Sequence, residues 1–213
     1  MYFYNSSLRV SVIAIAGGTA SGKTTLSNKI VEHYKNFNVR YLSLDSYYKD
    51  FGNLSFSERS KINFDDPGSL DFDFFYQQIN EYLNGSIINT PCYSYKSHKR
   101  LKKTLLLRQG DLLILDGILI LLKKSIRDFF DLSIFLNLDS SKRLSRRIIR
   151  DVEERGRSQA EVQKRFIKMI NPMHDKFVEP SKKYADIILD EDYDFKLIKN
   201  KIDQLLYGNL QKN

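Results

Sequence analysis

The chain has 213 residues, a net charge of +8, 42% hydrophobic residues, thirteen Tyr and fourteen Phe without any Trp, and one cysteine, Cys92. That apolar and aromatic mass suits one ordered α/β domain and excludes a disordered chain, while a lone cysteine excludes an intrachain disulfide framework and a cysteine-built zinc site. The basic balance suits a polyanionic ligand, nucleotide or nucleic acid, and equally well ordinary solubility.

The N-terminus, Met1 to Arg9, has neither a basic start nor an apolar signal core. The longest apolar run, Leu112 to Leu122, is interrupted by Asp116 and Gly117 and is too short to span a bilayer. The expectation is a soluble cytoplasmic protein with no membrane partner and an inert Cys92. Val10 to Ala16 reads as a buried strand, apolar and partly β-branched. Gly17, Gly18, Thr19, Ala20, Ser21, Gly22, Lys23 and Thr24 then spell G-x-x-x-x-G-K-[ST] completely, and Thr25 leads into a helical run. Glycines let backbone N–H groups converge on phosphate oxygens, and a helix beginning at Lys23 adds its positive end. Lys23 is expected at the β/γ phosphates and the Thr24 hydroxyl on Mg²⁺.

Val39 to Asp45 predicts a second strand ending in a carboxylate, followed by a loop to Gly52. Ser55 and Glu58 have capping-box spacing ahead of a short helix to about Ile62. Asn63 to Asp71 is loop, and Phe72 to Leu83 a helix that stops near Gly85. Ile87 to Tyr95 and Thr104 to Leu107 read as strands around a basic turn, Lys96 to Arg100, forming a flap over about 86–108. Asp111 to Asp116 and Asp131 to Leu136 are further buried strands. A helix from Ser140 to about Arg155 forms an arginine-rich lid over about 140–158. Gln159 to Phe177 is a helix disturbed at Pro172, Ala185 to Leu189 a last strand, and Phe195 to Leu206 a closing helix. Alternating strands and helices predict a mainly parallel sheet in one domain over 1–213, with ligands at the strands' carboxyl ends.

Those ends bring Lys23, Thr24, Asp45 and Asp116 to one edge. Asp116 is read as a magnesium ligand or a strand-end cap. Asp45 is read as the general base toward an acceptor hydroxyl or as another magnesium-shell carboxylate. From Lys142 to Arg157 seven basic and three acidic residues occur. Helical spacing puts Arg143, Arg147 and Arg150 along one face, with Arg146 elsewhere, and Gly156 breaks the helix between Arg155 and Arg157. This is a phosphate-facing lid or a solvated, RNA-facing helix. Tyr93 and Tyr95 share a face by alternation and, with His98, suit a flat heterocycle or a plain core hairpin.

Taken together, Gly17–Thr25, Asp45–Asp50, Asn63–Pro67, Tyr93–His98, Arg146–Asp151, Glu154–Ser158 and Glu179–Ile188 resemble the uridine kinase (uridine–cytidine kinase) family over nearly the whole chain. The resemblance implies a P-loop NTPase-type parallel sheet and ATP- or GTP-dependent phosphorylation of the 5′-hydroxyl of uridine and cytidine. It implies Asp45 as the catalytic aspartate, Asp65 and Arg147 at the ribose, and Tyr93 and His98 at the pyrimidine. Tyr48, Phe64 and Tyr95 fall at nearby pocket positions, Arg150, Arg155 and Arg157 are lid arginines, and Arg157 also lies near the substrate. A homo-oligomer, usually a tetramer, is implied as well. The chain departs from the family at Asp116, where Glu is usual, at Asp66, where His is common, and at Arg165, where a ribose-contacting Gln is frequent. Asp190 to Tyr193 replaces a Pro-Arg-Gly-type loop, with Asp194 aligning by count with a nucleotide contact. The rival readings are a phosphoribulokinase-like or pantothenate kinase-like enzyme and a nucleotide-dependent RNA-binding protein.

Overall fold

A computed structural model describes residues 9–210; the Met1–Leu8 stretch read for a signal core lies outside the described residues. The first strand, β1 (Ser11–Gly17), is buried along its whole length. Val12, Ala14 and Ala16 face one apolar cluster, Ile13 and Ile15 the other. A strand covered on both faces needs a continuous apolar run, which is why no polar alternation appears in its sequence.

Loop residues Gly18 to Gly22 lead into α1 (Lys23–His33), and β2 (Val39–Ser43) follows. α2 (Phe56–Lys61) starts on the expected capping box, with Ser55 and Glu58 each bonding the other's backbone. α3 (Phe72–Leu83) is capped by Asp71. Strands β3 (Ile88–Ser94) and β4 (Lys99–Leu107) form an antiparallel hairpin. β5 (Leu112–Asp116), the short α4 (Lys124–Arg127), β6 (Leu132–Leu136) and α5 (Ser140–Arg155) come next. α6 (Gln159–Arg165) continues through a wide turn at Phe166–Ile170, α7 (Asn171–Met173) and a second wide turn at His174–Val178. Pro172 has no N–H to donate, and the helix accommodates it by opening its ladder on either side. β7 (Ile187–Leu189) and α8 (Phe195–Leu210) complete the described chain.

The main sheet has the order β2-β5-β1-β6-β7, with every pairing parallel. No described helix is long and apolar enough to cross a membrane.

Four elements differ from expectation. β2 ends at Ser43, so Asp45 lies on a 3₁₀ turn, Leu44–Tyr47, whose start is capped by the Ser43 hydroxyl. β4 begins at Lys99, because Tyr93–Arg100 and Ser94–Lys99 pairs extend the ladder past an irregularity after Pro91, which cannot donate to it. β7 begins at Ile187, since the Asp186 carboxylate is engaged by the Ser133 N–H and hydroxyl. α8 runs beyond Leu206 to Leu210.

The 3₁₀ turn carrying Asp45 is anchored firmly. The buried Tyr47 hydroxyl donates to Gln78 Oε1 at 2.6 Å, and Gln78 Nε2 donates to the Asn89 carbonyl of β3 at 2.9 Å. Arg100 on β4 reaches the Tyr48 carbonyl at 3.0 Å. The phosphate-loop side is as tightly built. Gly17 has φ 140°, and a Cβ there would lie 2.6 Å from the Leu136 carbonyl and 2.7 Å from Ser21 Oγ. Backbone cannot retreat from such a contact. Gly17→Ala should therefore cost about 2–4 kcal/mol of stability, read as a lowered denaturation midpoint; an unchanged midpoint would show that the loop can relax.

Candidate active site

The sheet order lays the site out from one side to the other. On β1, β5 and β2, the carboxyl ends supply the phosphate loop, Asp116 and, just past Ser43, Asp45. In the register of the sheet Ser43 pairs with Asp116, and Asp116 pairs with Ile15. Ligands of open α/β sheets sit at this edge, where β1 divides one direction of winding from the other. A cleft of about 890 Å³ opens there, lined by Thr19 to Thr25, Tyr41, Ser43, Asp45, Asp116 and, from the lid, Arg146, Arg150 and Arg155.

Lys23 Nζ donates to the Gly17 and Gly18 carbonyls, each at 3.0 Å. Burial lowers its pKa, while Asp116 and Asp45 pull in the opposite direction. Asp45 is pushed up to about 6 by burial and by the like charge of Asp116, against the attraction of Lys23. Asp116 is also raised by burial, and Lys23 together with hydrogen bonds from Ser43 and Tyr41 restrains the rise. Asp116 Oδ1 is buried with no hydrogen-bond partner. Thr24, which lines the same cleft, is exposed. Among the described residues no trio of His, Cys, Asp or Glu could hold a metal by itself. One carboxylate, one hydroxyl and a phosphate-binding loop are the donor set that suits Mg²⁺, which keeps waters and takes phosphate oxygens as ligands.

A second pocket adjoins this cleft, lined by Tyr48, Phe64, Asp65, Tyr93, His98, Arg147, Arg157 and Arg165. It shares Thr19, Asp45, Tyr95, Ile118, Arg150 and Arg155 with the phosphate cleft. Its wall is aromatic. Phe64 stacks on His98 at 5.1 Å and 12°, and packs edge-on against Tyr48 at 5.1 Å; Tyr93 lies 5.1 Å from Tyr48 and 5.6 Å from Tyr95. His98, in the hairpin turn at φ 52°, is pressed between Phe64 and Phe56. Burial and the arginines around it lower its pKa to about 4, so the ring is neutral at pH 7 and offers one donor and one acceptor. The Tyr93 hydroxyl is buried without a partner. Asp65 is raised by burial, against Arg147, Lys23 and Arg165.

The lid arginines divide. Arg147 donates to Thr19 Oγ1 at 2.6 Å, tying α5 to the phosphate loop. Arg155 lies over the Tyr95 ring at 5.0 Å. Arg143, placed with Arg147 and Arg150 by helical spacing, is withdrawn instead. It is buried behind Gly18, donates to the Leu138 carbonyl and Asn171 Oδ1, and packs on Phe166. Arg146, set apart by helical spacing, nevertheless lines the phosphate cleft and pairs with Glu191 at 2.6 Å. Arg165 lines the second pocket, and its guanidinium donates to the Ser60 and Ile62 carbonyls at the end of α2.

A third pocket, of about 170 Å³, lies on the β6–β7 side, lined by Thr25, Asn137, Arg146, Asp190, Glu191 and Tyr193 among others. Asp194 is not among its lining residues. It is exposed, and its carboxylate accepts the Lys196 N–H at the start of α8. Sequence reasoning also missed Tyr41 and Ser43, which reach Asp116 from the next strand, and Asp151, which no pocket exposes. Strand register could have found Ser43; nothing local marks the other two.

A G-x-x-x-x-G-K-T loop on the central strand, carboxylates from neighbouring strands and arginines from an overlying helix define a P-loop phosphotransferase. The profile of the phosphoribulokinase / uridine kinase family matches residues 12–197, and the chain belongs to that family. The chain is 42% identical over 180 residues to a uridine kinase of Bacillus subtilis, covering 84% of this chain and 85% of that one. With a uridine kinase of Clostridium novyi it shares 38% over 206 residues, 95% and 99% of the two chains. Among solved structures it resembles the phosphoribulokinase of Rhodobacter spheroides with a TM-score of 0.66 at 13% identity, over 86% of this chain and 71% of that one. A D-glycerate 3-kinase from Cryptococcus neoformans matches with a TM-score of 0.62 at 14% identity, over 89% of each chain. These structural likenesses concern the fold.

The electrostatics of the cleft predict how Asp45 titrates when its neighbours change. Lys23→Met removes the cation that restrains it and should move its pKa above about 6. Asp116→Asn removes a like charge and should lower it. Carboxyl-carbon chemical shifts followed against pH read both, and equal values in the two variants would refute this coupling.

Proposed function

We propose that the chain transfers the terminal phosphoryl group of ATP or GTP to the 5′-hydroxyl of uridine and cytidine, giving UMP and CMP in cytoplasmic pyrimidine salvage. The observation that carries this reading is the pair of adjoining pockets that share Asp45, Arg150 and Arg155. One is walled by the phosphate loop, the other by aromatic rings and Asp65, so a donor triphosphate and an acceptor nucleoside would meet at those three residues.

Each group then has a task that its environment suits. Asp45, titrating about 6, is ionised at neutral pH and still basic enough to accept the 5′-hydroxyl proton as the oxygen attacks phosphorus. Lys23, Arg150 and Arg155 neutralise charge that spreads over the transferring phosphoryl and the departing β-phosphate. Thr24 and Asp116 would hold Mg²⁺, which supplies charge neutralisation across the β- and γ-oxygens. Gly17, Gly18, Ala20, Ser21, Gly22 and Thr25 cradle the triphosphate with backbone N–H groups and hydroxyls. Asp65 and Arg147 take the ribose hydroxyls, and Arg157 and Arg165 close the far side. The base lies among Tyr48, Phe64, Tyr93, Tyr95 and His98, where the unpartnered Tyr93 hydroxyl and the neutral imidazole face its polar edge. The donor base falls to the Asn137–Glu191–Tyr193 pocket.

The same wall separates this reading from a phosphoribulokinase-like one. Four aromatic rings and an imidazole offer stacking area to a heterocycle and little to a sugar phosphate. The deciding experiment is a nucleoside panel with ATP and GTP, following 5′-monophosphate formation; turnover of sugar phosphates but not nucleosides would reject the reading.

Two substitutions sharpen it. Asp45→Asn should lower kcat by roughly 10²–10⁴-fold, with equilibrium ATP binding within a few-fold of wild type; full turnover would remove the general-base role. Phe64→Ala should raise the nucleoside KM by roughly 5- to 150-fold, the worth of about 1–3 kcal/mol of stacking, and leave the KM for ATP unchanged. Equal changes in both constants would mean that the ring supports the fold and not the base.

A further inference from the structure

The lid helix holds a carboxylate that lines neither the phosphate cleft nor the aromatic pocket. Asp151 has a side chain 1% exposed, and three guanidinia converge on it. Arg150 donates twice to Oδ1, from Nε at 2.9 Å and from Nη2 at 2.8 Å. Arg155 Nη1 stands 3.3 Å from the same oxygen, and Arg147 Nε 3.3 Å from Oδ2. Burial alone would push this carboxyl upward; the three arginines overcome that and hold it below the ordinary range, so it stays ionised. Its backbone carbonyl accepts the Arg157 N–H where the helix ends on Gly156, at φ 66°. One residue therefore joins the helix terminus to three of the cations that reach the site.

Three guanidinia with no anion among them would repel one another and splay. A single buried carboxylate beneath them offsets that repulsion, bonding Arg150 directly and holding Arg147 and Arg155 at ion-pair distance. Arg147 is left aimed at Thr19, Arg150 and Arg155 at the junction of the two pockets. Arg150 and Arg155 line both pockets while paired to Asp151.

We propose that Asp151 is a positioning residue for phosphoryl transfer, acting through Arg147, Arg150 and Arg155 and touching neither substrate. This rests on the nucleoside kinase reading above. It gives the lid a specific order of events: the arginines are set by Asp151 before the triphosphate arrives, so the transferring phosphoryl meets cations already in place.

The test uses the full chain with uridine and ATP and reads kcat, both KM values, equilibrium ATP binding and the thermal midpoint. Asp151→Asn keeps the size and the backbone carbonyl but removes the charge. Asp151→Glu keeps the charge one methylene further out. The expected order of kcat is wild type, then Glu at least threefold lower, then Asn at least threefold lower again, with ATP affinity changed less than threefold. Loss of midpoint with kcat per folded molecule unchanged, or an Asn variant within twofold of wild type, overturns the proposal. Should Asp151→Asn not fold, Asp151→Glu decides: a lower kcat at unchanged ATP affinity supports it and a wild-type kcat overturns it. Absence of monophosphate with the wild-type chain overturns the kinase reading and this role with it, an outcome distinct from an active wild type and an equally active Asn variant.

Discussion

Two carboxylates, Asp45 and Asp116, and one ammonium, Lys23, share the end of a parallel sheet, and their mutual field sets what each can do. Burial disfavours the charged form of all three. Lys23 makes the two anions tolerable, and they make its own charge tolerable. The hydrogen bonds from Lys23 Nζ to the Gly17 and Gly18 carbonyls then bind the same cation to the loop that receives the triphosphate. The roles proposed for them, a base near neutrality, a metal carboxylate and a phosphate-facing ammonium, would thus come from one arrangement. Charges placed separately in water would give none of them, since solvent would return each group to its ordinary titration.

The sheet is what brings these groups together. In the order β2-β5-β1-β6-β7 the aromatic pocket lies toward β2, the phosphate loop at β1, and the third pocket beyond β6. In the proposed reading a triphosphate would stretch along this edge, with its terminal group at the junction. The hairpin and the Asp45 turn are held to this frame by Tyr47, Gln78 and Arg100, all of which bond backbone or side chains of a neighbouring element. Asp45, the proposed general base, sits on a turn, yet that turn is clamped by neighbouring elements.

What the sequence made legible follows from locality. The phosphate loop, its strand and its helix are contiguous, so spelling and spacing suffice for Gly17 to Thr25. The parallel sheet followed from apolar runs alternating with helical ones. The capping box at Ser55 and the stop at Gly156 are short-range signals and were equally readable. Arg143 shows where locality fails: helical spacing aligned it with Arg147 and Arg150, but a helix turned against Asn171 and Phe166 hides one end of that face. Asp151 looks in the sequence like one more charge in an arginine-rich run, and only packing makes it the buried partner of three cations. Tyr41 reaches Asp116 from an adjacent strand that lies far away along the chain.

The net charge of +8 takes a different meaning in this light. A neutral nucleoside gains nothing from a field of arginines, and nucleic acid would meet basic groups spread over a surface. Here the guanidinia of Arg147, Arg150, Arg155, Arg157 and Arg165 line one pocket, three of them held by a single aspartate underneath. Such inward focusing is worth most at the moment when negative charge moves between two oxygens, and little before or after. Asp45 and Asp65 stand within the same field, and their opposing charges keep the acceptor side from becoming an anion trap. In the kinase reading proposed above, these pocket arginines serve the transfer step, and the aromatic wall is left to choose the acceptor.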